Sequence, residues 1–488
     1  MSVLSKSLEN FIRQKKLSIA DLAKRCQIDR STMYQYVHGK RSLQNRELLE
    51  NILAELRLTP EERFRVMESF EITQIGEERY YRRQKIKEIF ESLLTLEENS
   101  PKTLPKQQEV TGYVQAIQAI SQISGSRLIS GELKVQKVIK CIIKDAAERG
   151  SRICLFLQPE NYFAHAMSVV YEYPENCRIT HIICLNANPD PMECDNLEII
   201  KRVIRSGIAI RDYQPFYYYG NPSEHYGMMN MMPYFIMVDD CAMQIAIDGK
   251  AVILHKDKEV NQYFQETFGK MLRRCHPLMK STLGLEKRVA WGMDELKRTH
   301  YNNTIEMSSG LCSLQFWNPE LIKKYLPPAI PDYENLLKGI AHYASGLYQA
   351  KKKGQIKILM NPCFVLAFIK TGVIKEYPSI YFQAPLVPED RKYILKQIFQ
   401  AMEEGWYHIY FMEESIFPLD YRWEAVVQPH KSLYMQYCID DQFRIFEFEI
   451  PEAVDAVSDY LESLIQSDSV MDEDTSRGLM RRWIEEYL

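Results

Sequence analysis

What the 488-residue chain lacks narrows its class first. No uninterrupted apolar run approaches the ~20 residues that a membrane-spanning helix needs. Lys6 and Arg13 are not followed by the apolar core of a signal peptide. The expectation is a cytoplasmic protein without a membrane partner. None of the eleven cysteines is spaced CxxC. Most lie in apolar stretches, as Cys154, Cys184 and Cys438 do, and read as reduced core residues, neither a disulfide framework nor a zinc site. There is no GxxxxGK[ST] phosphate loop, no GxGxxG, no HExxH and no GxSxG. The ten histidines are scattered. The sequence thus predicts no metal, no cofactor and no catalytic residue. The length exceeds what one core supports, so roughly two to four domains are expected.

Charge is present but uneven. Residues 1–46 hold ten Lys and Arg against three acids, a surplus of seven, while the whole chain has 61 basic and 65 acidic residues, net −4. The remainder therefore carries −11. Residues 440–488 alone hold 14 acids and 4 bases, a solvated helical surface. A basic patch on an acidic protein places any nucleic-acid footprint at the N-terminus.

That patch contains the most informative stretch, residues 18–46. Ser18 can cap a first helix running to about Cys26, and Gln27-Ile28 can turn the chain. Asp29 can cap a second helix from Arg30 to about His38, which Gly39 ends. Leu22 and Ala23, Ile28, Met33 and Val37 or Tyr36 would form the apolar wedge of two crossed helices. The second helix then shows water Arg30, Ser31, Thr32, Tyr34, Gln35 and His38. Arg reads guanine and Gln reads adenine bidentately, and Ser and Thr read either. Lys40, Arg41, Asn45 and Arg46 follow, placed for phosphates.

On Leu17-Ser18, Leu22-Ala23, Ile28, Arg30-Ser31-Thr32, Gly39-Lys40 and the next helix at 48–56, residues 4–58 resemble the DNA-binding domain of the lambda-repressor-like (Xre-type) bacterial regulators. The resemblance implies base-reading positions for Arg30, Ser31 and Gln35. Two departures stand out. Gln27 occupies a turn position where the family usually has glycine, and a left-handed Gln carries a cost. Ile19 stands where the family often has a phosphate-gripping Gln, so one phosphate contact is expected to be lost.

Further along, helices are expected at 4–16, 46–57, 60–70 and 77–98. The last carries a short seam of Ile86, Ile89 or Phe90, and Leu93. It could pack on its own domain or form a dimer connector. Residues 99–108, NSPKTLPKQQ, read as a linker. From 110 on, helices at 110–124, 132–149, 194–206 and 258–274 alternate with strands at 152–157, 178–185, 208–211, 234–238, 242–247 and 251–254, an α/β pattern. Similar units return at 391–465. Ile139, Ile143, Gly150 and Phe156 match Ile394, Ile398, Gly405 and Phe411 at a constant offset of 255. The Asp239-Asp240 turn plus helix is echoed by Asp440-Asp441 plus helix. We read a degenerate internal duplication with a shortened second copy. The region 276–390 yields little.

The strand–Asp-Asp–helix arrangement remotely resembles the phospholipase D-like fold. That family's HxK motif would be expected just before Asp239-Asp240, where this chain has Met232 and Tyr234. The resemblance thus implies a catalytically dead member. The loop at 214–233, with Tyr217, Tyr218, Tyr219 and a run of methionines up to Met232 and then Tyr234, reads as the wall of a small-molecule or peptide pocket, or else as core or a partner interface.

The resulting expectation is a multidomain protein. A helix-turn-helix domain at 1–75 is followed by a helical connector and linker at 76–109, an α/β sensor-like domain at 110–280 and a second α/β domain with an acidic tail at 281–488. The expected function is a transcriptional regulator that binds double-stranded DNA as a homodimer, since one recognition helix reads too few base pairs for a unique site. Its C-terminal module would sense an unidentified small-molecule or peptide effector. The competing readings are an enzyme or defence effector on a DNA-binding head, and an interaction scaffold.

Overall fold

The computed structural model describes residues 1–94, 124–159, 176–190, 192–221, 231–239, 241–298, 301–308, 310–374, 381–382, 384–413, 423–439 and 442–488. The linker at 99–108, the helix expected from 110 and the Asp440-Asp441 pair lie outside these. The chain divides into two compact units, Met1–Lys85 with Asp190–Cys194, and Ile86–Pro189 with Asp195–Leu488.

The first unit is all helical: α1 (Val3–Gln14), α2 (Ile19–Arg25), α3 (Arg30–Val37), α4 (Arg46–Leu56), α5 (Pro60–Ile75) and the start of α6 (Glu77–Leu94). Local chemistry sets each boundary. The Ser18 hydroxyl accepts from the Asp21 amide, and Asn45 accepts from Leu48 N at 2.9 Å. Thr59 and Glu62 form a reciprocal capping box ahead of Pro60 at the first helical position. The core gathers Leu4, Leu8, Phe11, Leu22, Ala23, Met33, Val37, Leu49, Ile52 and Val66. Gln27 does adopt the left-handed conformation, with φ +55°. Gly39 ends α3 at φ +67°, and a Cβ there would lie 2.7 Å from Ser5 Oγ and 3.2 Å from Met1 Cα. Only glycine fits both the dihedral and the close approach of α1.

The second unit is α/β. Among the described residues, one sheet has the order β1-β7-β6-β5-β2-β3-β4-β8 and the other β12-β11-β10-β13-β14-β15-β9. The first comprises β1 (Ser126–Ser130), β2 (Arg152–Phe156), β3 (Arg178–Asn186), β4 (Asp212–Gly220), β5 (Tyr234–Val238), β6 (Cys241–Ile245), β7 (Ala251–His255) and β8 (His276–Pro277). The second comprises β9 (Lys280–Leu283), β10 (Thr304–Ser308), β11 (Ile356–Met360), β12 (Tyr407–Phe411), β13 (Trp423–Gln428), β14 (Ser432–Ile439) and β15 (Gln442–Phe448). β2, β3 and β4 run parallel, as do β10, β11 and β12. Each first strand, β2 or β10, pairs antiparallel on its other side with a three-stranded meander. β1 and β9 close the far edges against β7 and β15.

The two sheets therefore share one connectivity, strand for strand, apart from β8. Helices α7 (Glu132–Glu148) and α10 (Leu285–Arg298) precede β2 and β10, and α9 (Lys258–Leu272) and α15 (Pro451–Ile465) follow the meanders. Between the parallel strands run α8 (Asp195–Ala209) in the first copy. In the second run α11 (Pro319–Tyr325), α12 (Tyr333–Lys352), α13 (Pro362–Thr371) and α14 (Pro388–Glu403). α16 (Glu473–Tyr487) ends the described chain.

The duplication is present, but its alignment differs from the one read at an offset of 255. Ile153 opposite Val238 corresponds to Ile305 opposite Val427. α7–β2 thus matches α10–β10, not α14–β12. The match through Gly150 and Gly405 arose because both glycines end a helix before a strand, at φ +67° and +75°, and that device serves any helix-to-strand connection. The Asp239 turn joins β5 to β6, while residues 440–441 fall between β14 and β15, so the two turns are not equivalent. The second copy is the longer one, starting at β9. A further difference is the strand expected at 208–211. α8 runs to Ala209, and residues 214–220 of the loop expected at 214–233 pair with β3 as part of β4. Aromatic side chains favour the half-buried pleat.

The copies pack closely. Arg444 donates to the carbonyls of Gly207 and Ile208 at 3.0 and 2.6 Å. A Cβ on Gly207 would lie 2.4 Å from Met279 Cε and 3.0 Å from Phe446 Cε1. The seam of α6 is consumed within this unit: Ile86, Ile89, Phe90 and Leu93 are buried, and the Phe90 ring lies 5.2 Å from Trp423 and 5.9 Å from Tyr460. It therefore packs on its own chain rather than standing free as a dimer seam.

Two substitutions test the backbone assignments of the first unit. Gln27→Gly should stabilise it by about 0.5–1 kcal/mol, the left-handed cost less the glycine entropy. Gly39→Ala should destabilise it by more than ~1 kcal/mol. Native-state hydrogen exchange of α1–α3 in the full chain reads both, as slower and faster exchange respectively.

Candidate nucleic-acid interface

The outer face of α3 is built from its own N-terminus. Asp29 accepts from the backbone of Ser31 at 2.8 Å and of Thr32 at 3.3 Å, and also from the Ser31 hydroxyl. Those hydrogen bonds, the Ser31 side chain first, hold its carboxyl below the usual range. It stays ionised at the positive end of the helix. With Met33 and Val37 turned into the core, the periodicity of 3.6 sends Arg30, Ser31, Tyr34 and Gln35 to water, and all four are exposed.

These side chains converge. Asp29, Arg30, Ser31, Tyr34, Gln35 and Lys40 line one open concavity. Lys40 Nζ lies 5.5 Å from the Tyr34 ring centroid, and the Tyr34 and His38 rings are 4.1 Å apart. The Lys40 amide donates to Gln35 O at 2.9 Å, which fixes the chain just beyond the helix. Arg41 is exposed beside Tyr36, 5.7 Å from its ring. The remaining expected residues have local partners. Thr32 and His38 are half-buried, and His38 Nδ1 lies 3.7 Å from Glu9. Asn45 is the cap of α4, so its carbonyl oxygen is already engaged. Arg46, the first residue of α4, is exposed with Glu50 at 3.7 Å. The concave set thus has two fixed cations, Arg30 and Lys40, beside one capping acid.

The second set of expected ligand residues does not form one wall. Tyr217, Tyr218 and Tyr219 lie on β4, where successive side chains point to opposite faces. Tyr217 and Tyr219 meet edge to face at 5.4 Å, and the Tyr219 hydroxyl donates to both oxygens of Glu452 at 3.0 and 2.8 Å. Tyr218 turns to the other side and stacks on Phe156. Tyr234 is buried at the start of β5, separated from β4 by the two strands β2 and β3, and Met232 precedes it. Asp239 is held by Arg149 at 3.2 Å and by the Ser151 hydroxyl, the ordinary partners of a turn. His181 is buried between Tyr213 and Leu157 O, and burial pushes its pKa down to about 4, which keeps it neutral.

Sequence reading passed over a buried polar cluster in the second copy. Glu306 on β10 is fully buried and ion-paired with Lys351 of α12. Glu424 on β13 accepts from Cys312 Sγ at 3.0 Å. Burial, then the charge of Glu306, raises the Glu424 pKa. Glu306, Cys312 and Glu424 come within 4.8 Å of one another, but the Lys351 ammonium already supplies the cation there. Cys312, Lys351 and Glu424 line a cavity together with Arg288, Gln315 and Tyr343. The available signal was a lone Glu inside an apolar strand, in TIEMS and in WEAVVQ.

Residues 7–65 match the family model of the Cro/C1-type helix-turn-helix DNA-binding domain. No curated protein matches the chain. Among solved structures, the chain is similar to a phosphatidylserine synthase of Haemophilus influenzae Rd KW20, at 9% identity over 77% of this chain and 97% of that one, with a TM-score of 0.24. It is also similar to TrmBL2, an archaeal chromatin protein, at 12% identity over 53% and 88%, with a TM-score of 0.22. Both likenesses are too loose to carry an activity across. No helix among the described residues is long and apolar enough to cross a membrane. The capped, crossed helices and the family match agree: the N-terminal unit is a Cro/C1-type helix-turn-helix DNA-binding domain, of the Xre-like kind.

Proposed function

We propose that the protein is a sequence-specific transcriptional regulator that binds operator DNA as a homodimer, with α3 in the major groove. The observation that carries this reading is the convergence of Arg30, Ser31, Gln35 and Lys40 on one exposed, concave face. Arg30 and Gln35 have the forked geometry that reads guanine and adenine edges, and Lys40 and Arg41 suit phosphates. Dimerisation follows from the size of the readout, because one α3 covers too few base pairs for a unique site. It requires a surface other than the α6 seam, which the chain covers itself.

In this reading the duplicated α/β region is a sensing module and not an enzyme. Its support is the cavity of the second copy, where Arg288, Gln315, Tyr343 and Gln436 face apolar Leu285, Val289 and Ile340, a mixture suited to recognising a small ligand. An effector acts by favouring one of two states of the chain, and it shifts DNA affinity only by its differential affinity for them.

Arg30→Ala or Gln35→Ala should cost ~1–3 kcal/mol at one base position and relax specificity there. Lys40→Ala should weaken binding to all sequences and lower the salt slope by about one. Titration of the selected operator and of random DNA across salt concentrations checks all three. Wild-type behaviour in every variant would remove α3 from the groove.

A further inference from the structure

The second copy encloses a cavity between α10, α12 and the β13–β14 strands. One side is apolar, formed by Leu285, Val289, Ile340, Leu347 and Phe382. The other side is polar, and its central group is Arg288. The Arg288 Nε–H donates to Gln436 Oε1 at 2.8 Å, and an Nη1–H donates to the Tyr343 hydroxyl at 3.1 Å. The guanidinium also sits over the Trp291 and Tyr343 rings, 5.2 Å from each centroid. Both hydrogen-bond partners are neutral. Among the described residues no carboxylate lies within 4.0 Å of it. One acid that acts on it, Glu295, is two turns along the same helix and is itself turned to Gln428. These two contacts engage two of five N–H donors. An enclosed guanidinium without a counter-ion is costly unless something else neutralises it.

The carboxyl groups that act on it, Glu295 and Glu424, do so from beyond ion-pair distance. Lys351 and Glu306 cancel each other. Glu424, which shares the cavity lining, accepts from Cys312. Arg288 thus faces the cavity with three N–H donors beyond its two neutral partners and with no carboxylate within ion-pair distance. A second donor points the same way: Gln315, only 4% exposed, lines the cavity with an amide nitrogen that has no hydrogen-bond partner. The cavity has a volume of ≈ 50 Å³.

We propose that this cavity binds a small organic monocarboxylate with an apolar body, its carboxylate forked by Arg288 and its body against Leu285, Val289 and Ile340. A phosphate is disfavoured, because the lining offers one guanidinium without a carboxylate in contact and places the Glu424 carboxyl on the same wall. The use of this carboxylate as the effector rests on the regulator reading; its binding does not.

The test is calorimetric titration of the full-length protein with a panel of monocarboxylates from butyrate to phenylacetate. Phenylacetamide, 2-phenylethylammonium and inorganic phosphate are the charge controls. At least one carboxylate should bind at least tenfold more tightly than its amide, and more tightly than phosphate or the ammonium. Arg288→Met should abolish that preference, so that acid and amide bind alike. Gln315→Leu, which spares the cation, should weaken the carboxylate several-fold and keeps the test open if Arg288→Met does not fold. No binding across the panel, equal binding of acid and amide, preference for phosphate, or carboxylate affinity indifferent to both substitutions would overturn the proposal. DNA binding by Arg288→Met, measured separately, distinguishes this failure from failure of the regulator reading.

Discussion

The apolar wedge between α2 and α3 is the constraint on which the functional face depends. Leu22 and Ala23 meet Met33 and Val37, all nearly inaccessible. Once Met33 and Val37 are inside, helical periodicity leaves no choice for positions 30, 31, 34 and 35. The left-handed Gln27 turn sets the crossing, and Asp29 starts α3 at the right residue. Gly39 then lets the chain leave α3 against Ser5 and Met1, which places Lys40 over Tyr34 beside the recognition face. The DNA-facing chemistry is thus a consequence of packing on the opposite side of a two-turn helix.

The α/β unit follows a different logic. One connectivity was used twice, with a parallel three-stranded half and an antiparallel meander flanking the same central strand. The copies have since diverged in what they bury. The first has His181 neutral and bonded to Tyr213 and Leu157 O, a settled core. The second has Glu306, Lys351 and Glu295 inside with Glu424 half-buried beside them, and burial raises the Glu295 pKa to about 7. Buried ionisable groups of this kind are expensive to keep and cluster where a protein binds something.

The helix-turn-helix could be read from residues because its signals are local: caps at Ser18 and Asp29, a stop at Gly39, and a 3.6 period between them. The α/β class was also readable, from apolar strands between amphipathic helices. The pairing of the two copies was not, because Gly150 and Gly405 perform the same local task in non-equivalent places, and only strand pairing separates β10 from β12 as the counterpart of β2. The aromatic run at 214–220 looked like a loop because its glycines and prolines sit near both ends, whereas β3 alongside makes it a strand. Arg288 carried no signal at all. Its setting is made by Gln436 and Tyr343, distant in sequence, and no spacing rule connects them.

The central claim is that α3 directs this protein to specific DNA. The most direct measurement is genome-wide capture of DNA bound by the full-length protein, beside the double variant Arg30→Ala/Gln35→Ala. The account predicts a small set of sharp sites with two half-sites one helical turn or a multiple apart, lost in the double variant. Sites that persist unchanged in the double variant, or enrichment without any shared sequence, would contradict it.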